Sequence, residues 1–175
     1  MQKLLINIDG ASQGNPGEAS IGIVITDGEG RIIEEVSQRI ERTTNNIAEY
    51  KALIEAAKLA VDYSPQRVIF FTDSQLLANQ INGLYRVRKP HLEKLHREAE
   101  LLLRKLPEWQ IRFVEREANY KAHRLAHRAL LESATPAEAE SLPDRIRQKV
   151  SELGAEDQHR VLEFVNRLLE DQKLN

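Results

Sequence analysis

The sequence predicts an α/β fold: a mixed, five-stranded sheet flanked by helices, followed by a small helical appendage. Three observations predict it. Two apolar runs, Leu4 to Gly10 and Arg67 to Asp73, carry an aspartate at their ends, with a helical pattern between them, the layout of two parallel strands joined by a crossover. Between them, the alternating Ile21, Ile23 and Ile25 and the run from Arg31 to Ile40 flank the turn signal Asp27-Gly28-Glu29-Gly30, so the first three strands form an antiparallel meander. Beyond Leu131 the periodic pattern gives way to Ser133-Ala134-Thr135-Pro136, which reads as a linker.

The elements follow in order. Leu4-Leu5-Ile6-Asn7-Ile8-Asp9-Gly10 is expected to be a buried strand that ends at its carboxylate and opens into the glycine-rich loop Ala11-Ser12-Gln13-Gly14-Asn15-Pro16-Gly17. Ala19 to Thr26 and Arg31 to Ile40 are the next two strands. Asn45 and Asn46 start a helix whose Leu53, Ala56, Ala57 and Ala60 recur at helical spacing until Pro65 stops it. Arg67-Val68-Ile69-Phe70-Phe71-Thr72-Asp73 is the fourth strand. A short helix runs from Ser74 to about Asn82, and Tyr85-Arg86-Val87-Arg88-Lys89-Pro90 connects it to a longer one from about His91 to Leu106. Glu108 to Val114 is the fifth strand, and Asn119 to Leu131 a helix with Ala122, Leu125, Ala126 and Ala129 inward. The chain thus divides into a main domain over residues 1–132, a linker over 133–142 and a two-helix extension over 143–175. The extension's helices, Pro143 to Leu153 and Glu156 to Gln172, join at Gly154-Ala155 and carry the apolar stripes Ile146, Val150, Leu153 and Val161, Leu162, Phe164, Val165, Leu168, Leu169. So small a hairpin cannot bury both stripes alone, so it is expected to dock on the main domain or to pair with another chain.

Composition narrows the class. With 41% hydrophobic and 30% charged residues in 175, the chain reads as an ordinary soluble globular protein. No apolar stretch approaches the roughly 20 residues needed to cross a bilayer, and the N-terminus lacks a signal-peptide pattern, so no membrane is expected. There is no cysteine, hence neither disulfide nor thiolate metal site, which fits a reducing cytoplasm. The net charge of −2 hides an asymmetry: residues 1–132 hold 19 basic and 18 acidic side chains, residues 133–175 hold 6 and 9. Residues 86–128 alone carry 12 basic against 6 acidic groups, a local excess suited to a polyanion.

Three carboxylates stand at special places: Asp9 and Asp73 at the ends of two neighbouring strands, and Glu49 in the first turns of the helix that connects them. Ligands gather at this carboxyl edge of a parallel sheet. Acids crowded there repel one another unless a hard cation binds them, and oxygen ligands suit Mg²⁺ or Mn²⁺. A pair of such ions is the usual design for cleaving phosphodiesters.

At these residues the chain resembles type 1 ribonuclease H. The resemblance rests on Ile8-Asp9-Gly10-Ala11 with Gly14-Asn15-Pro16-Gly17, on Thr44-Asn45-Asn46-Ile47-Ala48-Glu49-Tyr50, and on Thr72-Asp73-Ser74-Gln75, in the family's order and spacing, over about residues 1–131. It implies a ribonuclease H-like fold and Mg²⁺-dependent cleavage of the RNA strand of an RNA/DNA hybrid, leaving 3′-hydroxyl and 5′-phosphate ends, with two ions engaged when substrate is bound. Carried over by position, Asp9, Glu49 and Asp73 correspond to three of the family's four metal-binding acids. Asn15, Asn45, Asn46 and Gln75 fall where the family contacts the minor groove of the hybrid, where 2′-hydroxyls can be sensed, and Gly14, Thr44 and Ser74 fall in the same segments. Arg86 and Arg88 resemble the phosphate-tracking segment of members that lack a large basic protrusion.

The last motif departs from the family. An Asn, two residues, an Ala and a catalytic Asp are replaced by Asn119-Tyr120-Lys121-Ala122-His123, so His123 stands at the fourth catalytic and metal position, and no Asp occurs between Asp73 and Asp144. Imidazole is neutral where carboxylate is negative and prefers softer metals than Mg²⁺. Three outcomes stay open: His123 ligates directly and favours Mn²⁺, Glu115 or Glu117 swings in, or the site binds one ion well and turns over slowly. The expected function is a ribonuclease H with altered metal preference. The alternatives are a weak or silent module that binds hybrids or double-stranded RNA, and a scaffold whose tail recruits a partner.

Overall fold

The computed structural model describes residues 2–132, 146, 150–151, 153–154 and 157–165. The chain divides into two compact units, Met1–Ser133 and Ala134–Asn175. The first contains β1 (Lys3–Ser12), β2 (Gly17–Asp27), β3 (Ile32–Thr43), α1 (Asn45–Tyr63), β4 (Arg67–Thr72), α2 (Gln75–Ile81), α3 (Pro90–Leu103), β5 (Trp109–Phe113) and α4 (Tyr120–Glu132). The sheet order is β3-β2-β1-β4-β5, antiparallel through β1, β2 and β3 and parallel where β4 joins β1 and β5. The mixed five-stranded α/β architecture is the expected one.

Alternation along the strands sorts the core into two layers. On one face Leu4, Ile6 and Ile8 of β1 and Ile21, Ile23 and Ile25 of β2 pack with Phe70 against Leu53, Ala56, Ala57 and Ala60 of α1 and Leu92, Ala99 and Leu103 of α3. Full burial of the Leu, Ile and Phe side chains among them stabilises by roughly 1.5–3 kcal/mol each. On the other face, among the described residues, lies α4, with Val24 against Ala122 and Leu125, and Ala11 against Ala126 and Leu130. Its small inward residues let the helix lie close to the strands.

The first strand departs from expectation. β1 does not end at Asp9: its pairing with β2 continues through Gly10↔Ile21 and Ala11↔Ser20 to Ser12↔Ala19. Gly10 and Ala11 face tightly packed helices, so the residues that resemble a flexible loop are ladder residues, and the turn begins only at Gln13. β3 likewise runs past Ile40 to Thr43, as an edge strand whose Glu41 and Arg42 are exposed. α3 stops at Leu103, the chain tightening into i→i−3 bonds at Lys105 and Leu106 before Pro107.

In the second unit, residues 157–165 are helical. The joint before them is closed by Gln158, whose side-chain amide donates to the carbonyls of Val150 and Leu153. Ile146, Leu162, Phe164 and Val165 are exposed. The expected linker over 133–142, the beginning of the first tail helix, and Leu168 and Leu169 lie outside the described residues.

Candidate functional site

The site forms where two ladders of different length meet on one strand. The parallel pairing of β1 with β4 ends at Ile8↔Thr72, so Asp9 and Asp73 are the next residues on adjacent strands. Because Ile8 faces α1, Asp9 shares the opposite face with Asn7, the side on which α4 lies. Two glycines allow helices to close over this point. A Cβ on Gly10 would sit 2.2 Å from the backbone nitrogen of Glu49, so α1 can press against β1 only with glycine there. A Cβ on Gly22, the cross-strand partner of Asp9, would sit 2.1 Å from the carbonyl oxygen of Ala122, so α4 crosses the sheet at the level of Asp9 and brings His123 over it.

The resulting group is Asp9, Asp73 and His123, each offering a ligand atom within 4.8 Å of the others. Nδ1 of His123 lies 3.1 Å from Oδ2 of Asp9. Glu49 stands outside that group; it is buried, and one carboxylate oxygen accepts from the backbone N–H of Gly10 at 3.3 Å. Glu115 and Glu117 are exposed and do not join the three.

Two residues that sequence reasoning assigned no role hold Asp73. Asn119, fully buried, donates from Nδ2 to Asp73 Oδ1 at 2.9 Å and to the carbonyl of Ile8 at 2.8 Å, while its own Oδ1 accepts from Asn7 at 3.0 Å. One side chain therefore ties β1, Asp73 and the start of α4 together. Arg116 donates from Nε to Asp73 Oδ2 at 3.3 Å. The signal for Asn119 was its place at the head of the last motif; nothing in the sequence singled out Arg116.

The electrostatics follow from burial. Asp9 is pushed up to about 7, first by burial and then by the neighbouring Asp73 charge, with Arg116 opposing. Glu49 is raised well above the usual carboxylate range by burial, then by Asp9 and Asp73. His123 is held below the ordinary histidine value by burial and Arg116, partly offset by Asp73. Two buried acids and the half-buried Asp73, with one exposed arginine beside them, leave the site short of positive charge.

The expected hybrid-contacting residues lie in the turn after β1, at the starts of α1 and α2, and in the segment between α2 and α3. Asn15 and Gly14, the latter at φ +126°, are exposed in the turn after β1. Asn45, Asn46 and Gln75 occupy the first turns of α1 and α2. Thr44 and Ser74 spend their hydroxyls as helix caps, accepting from Ile47 N and Leu77 N at 3.4 and 3.3 Å. Arg86 and Arg88 are exposed between α2 and α3, while Val87 between them packs on the core. A groove of about 550 Å³ beside them is lined by Gln80, Tyr85, Arg86, His96 and Arg97. Among the described residues no helix is long and apolar enough to cross a membrane.

Residues 7–129 match the reverse transcriptase-like family. The chain is 41% identical over 122 residues to ribonuclease HI of Halobacterium salinarum, a match covering 70% of this chain and 61% of that protein. It thus spans under two thirds of that relative's length, and 40% of the length of three mycobacterial relatives. Among solved structures it superposes on RNase H1 of the same archaeon with a TM-score of 0.73 at 38% identity, covering 75% of this chain and 99% of that one. It also superposes on LC11-RNase H1 in complex with an RNA/DNA hybrid, with a TM-score of 0.71 at 34% identity over 75% and 99% of the two chains.

Proposed function

Because the chain belongs to the type 1 ribonuclease H family, we propose that it hydrolyses the RNA strand of RNA/DNA hybrids by divalent-cation-dependent phosphodiester cleavage, leaving 3′-hydroxyl and 5′-phosphate ends. The observation that carries the proposal is the convergence of Asp9, Asp73 and His123 within 4.8 Å where the β1–β4 ladder ends. The donor set fits Mg²⁺ or Mn²⁺: burial and then the repulsion of Asp73 push Asp9 up to about 7, and a hard cation bound between such carboxylates relieves both. An imidazole in place of the fourth carboxylate tilts the preference toward Mn²⁺. When bound, one or two such ions supply Lewis acidity that stabilises charge on the reacting phosphate and eases deprotonation of the attacking water.

The chain's own residues have separable tasks in this reading. Asp9, Glu49, Asp73 and His123 hold the cations. Asn119 keeps Asp73 aimed at the site, and Arg116 tempers the excess negative charge. Asn15, Asn45, Asn46 and Gln75 present amides to the minor groove, where 2′-hydroxyls distinguish RNA from DNA. Gly14, Thr44 and Ser74 shape the turns that carry those amides. Arg86 and Arg88 track phosphates of the bound duplex. Residues 143–175, with exposed Ile146, Leu162 and Phe164, serve as a docking element for a protein partner or a second copy. The compartment assigned is the cytoplasm, where a chain without cysteine forgoes no crosslink.

The test is cleavage of an end-labelled hybrid by the purified chain in Mn²⁺ and in Mg²⁺, beside Asp9→Asn. Cutting in the wild type that Asp9→Asn abolishes is expected. Activity that survives the substitution refutes the assignment. The contact between His123 and Asp9 favours one second reading, a hybrid-binding module with little or no turnover, and tight hybrid binding without cleavage in either metal would put it in place of the first.

A further inference from the structure

Helix α4 carries its charge on one side. At about 100° per residue, its buried Ala122, Leu125, Ala126, Ala129 and Leu130 fill one arc against β1, β2 and β3. Its exposed Tyr120, Lys121, Arg124, His127, Arg128 and Leu131 fill the other. Half-buried His123, 3.1 Å from Asp9, stands on the border between the two arcs. No acid occurs from Tyr120 to Leu131. Elsewhere the helical bases sit beside acids, as Lys58 of α1 does beside Glu55 at 3.6 Å and Arg104 at the end of α3 beside Glu100 at 3.9 Å. Lys121 and Arg124 have no acidic partner among the described residues. The Arg124 guanidinium carbon lies instead 5.9 Å from the centre of the exposed Tyr120 ring, a contact that holds the cation without neutralising it. Lys121, Arg124 and Arg128, spaced i, i+3 and i+7, form one stripe that runs about 10 Å along the helix. One strand of a duplex sets a phosphate about every 3.4 Å along its axis, so the stripe matches about three of them.

We propose that this stripe, led by Lys121 and Arg124, binds the phosphate backbone of the hybrid beside the cut, on the face of the sheet opposite α1 and α3. A strand whose reacting phosphate meets Asp9 and His123 has its next phosphates only a few ångströms on, beside the turns of α4 that bear these side chains. Regular spacing and continuity with the reactive edge favour a phosphodiester backbone over an acidic protein segment. Arg86 and Arg88 stand between α2 and α3, so the two groups of bases hold the duplex from different sides of the site. The proposal rests on the hybrid as substrate; it does not rest on turnover.

The experiment measures binding of a short fluorescent RNA/DNA hybrid to the full chain in chelator over a range of KCl concentrations. On a logarithmic plot of affinity against salt, each phosphate contact adds about 0.9 to the slope. The double substitution of Lys121→Gln with Arg124→Gln is expected to lower the slope by about 1.8 and to weaken binding at low salt about tenfold or more. Lys121→Arg with Arg124→Lys keeps both charges and should retain the slope. Lys58→Gln with Arg104→Gln removes two bases that already have acidic partners and should leave it intact. A slope unchanged by the first pair, or lowered as far by the last, overturns the stripe. Tighter binding of poly-glutamate than of hybrid, lost in the first pair, assigns the face to an acidic protein and overturns it as well. A chain that holds the hybrid through the stripe yet cuts none in Mg²⁺ or Mn²⁺ sustains the stripe and refutes the nuclease reading. Cleavage with an unchanged slope does the reverse.

Discussion

Two aspartates on the β1–β2 ladder are driven in opposite directions. Asp27 pairs in register with Leu4, and Asp9 with Gly22. Asp27 accepts from the backbone N–H groups of Glu29 and Arg31 and from the Arg31 guanidinium, and these bonds hold its carboxyl below the usual range. Asp9 is buried beside Asp73 and pushed up to about 7. The difference lies in who supplies the positive charge. At the turn the chain supplies it locally, and the acid closes a hairpin. Around Asp9, Arg116 reaches Asp73, α4 contributes an imidazole, and the remaining deficit is one that a cation would relieve; acids denied a counter-charge are the ones available for chemistry.

The largest test of this contrast exchanges the two carboxylates for amides one at a time. Asp9→Asn should lower single-turnover cleavage of a hybrid by about 10³-fold or more, the equivalent of several kcal/mol of transition-state stabilisation. Asp27→Asn should leave the cleavage rate intact and lower Tm slightly as the turn loses its acceptor. Comparable losses of rate in both would erase the distinction between an acid satisfied by its own loop and one awaiting a cation.

Next in size is the response of stability to pH, in which the two aspartates carry opposite signs. In the metal-free protein Asp9 and Glu49 hold protons more tightly when folded than their ordinary values of 3.8 and 4.5. Between those values and about 7, the folded chain keeps protons that the unfolded chain has released, so stability falls as pH rises through that window. Asp27 behaves conversely: its folded value is depressed, so its contribution is present above 3.8 and is lost as pH falls through the folded value. Thermal melts in chelator should therefore show Tm falling from about pH 5 to about pH 7.5 by the equivalent of a few kcal/mol. Mn²⁺ should restore more at the higher pH, and Asp9→Asn should flatten the profile. A level profile in the wild type would mean that burial and mutual repulsion do not hold these acids above their ordinary values.

Much of this arrangement was legible in the sequence because strand burial and helix caps leave local marks. The meander, the crossover helix and the two aspartates all follow from apolar runs, the Asp27-Gly28-Glu29-Gly30 turn and the helix stop at Pro65. The true end of β1 was not legible, since Gly10 and Ala11 resemble a loop until α1 and α4 are seen pressing on them. Gly22 carried no local mark at all: its need for a missing side chain exists only once α4 lies across it. Asn119 and Arg116 act on Asp73 across more than forty residues of sequence, a distance over which one chain offers no periodicity to read. Glu49 lies outside the tight group and accepts from the backbone N–H of Gly10, a contact that no motif records.

The smallest expected effect sharpens the contrast most. His123→Asp adds a fourth carboxylate where the imidazole now sits 3.1 Å from Asp9, making the Asp9 site still less like the Asp27 turn. Hard Mg²⁺ gains an oxygen ligand and the softer-ion preference is lost, so Mg²⁺-supported cleavage should rise about tenfold while the ratio of Mn²⁺ to Mg²⁺ rates falls. The same change deepens the repulsion, so the metal-free protein should melt lower at neutral pH than the wild type and recover more on adding Mg²⁺. Rates in the two metals, measured beside melts with and without Mg²⁺, separate the effects. If Mg²⁺-supported cleavage stays level or drops, the imidazole already completes the ligand set, and the charge deficit that distinguishes Asp9 from Asp27 does not limit turnover.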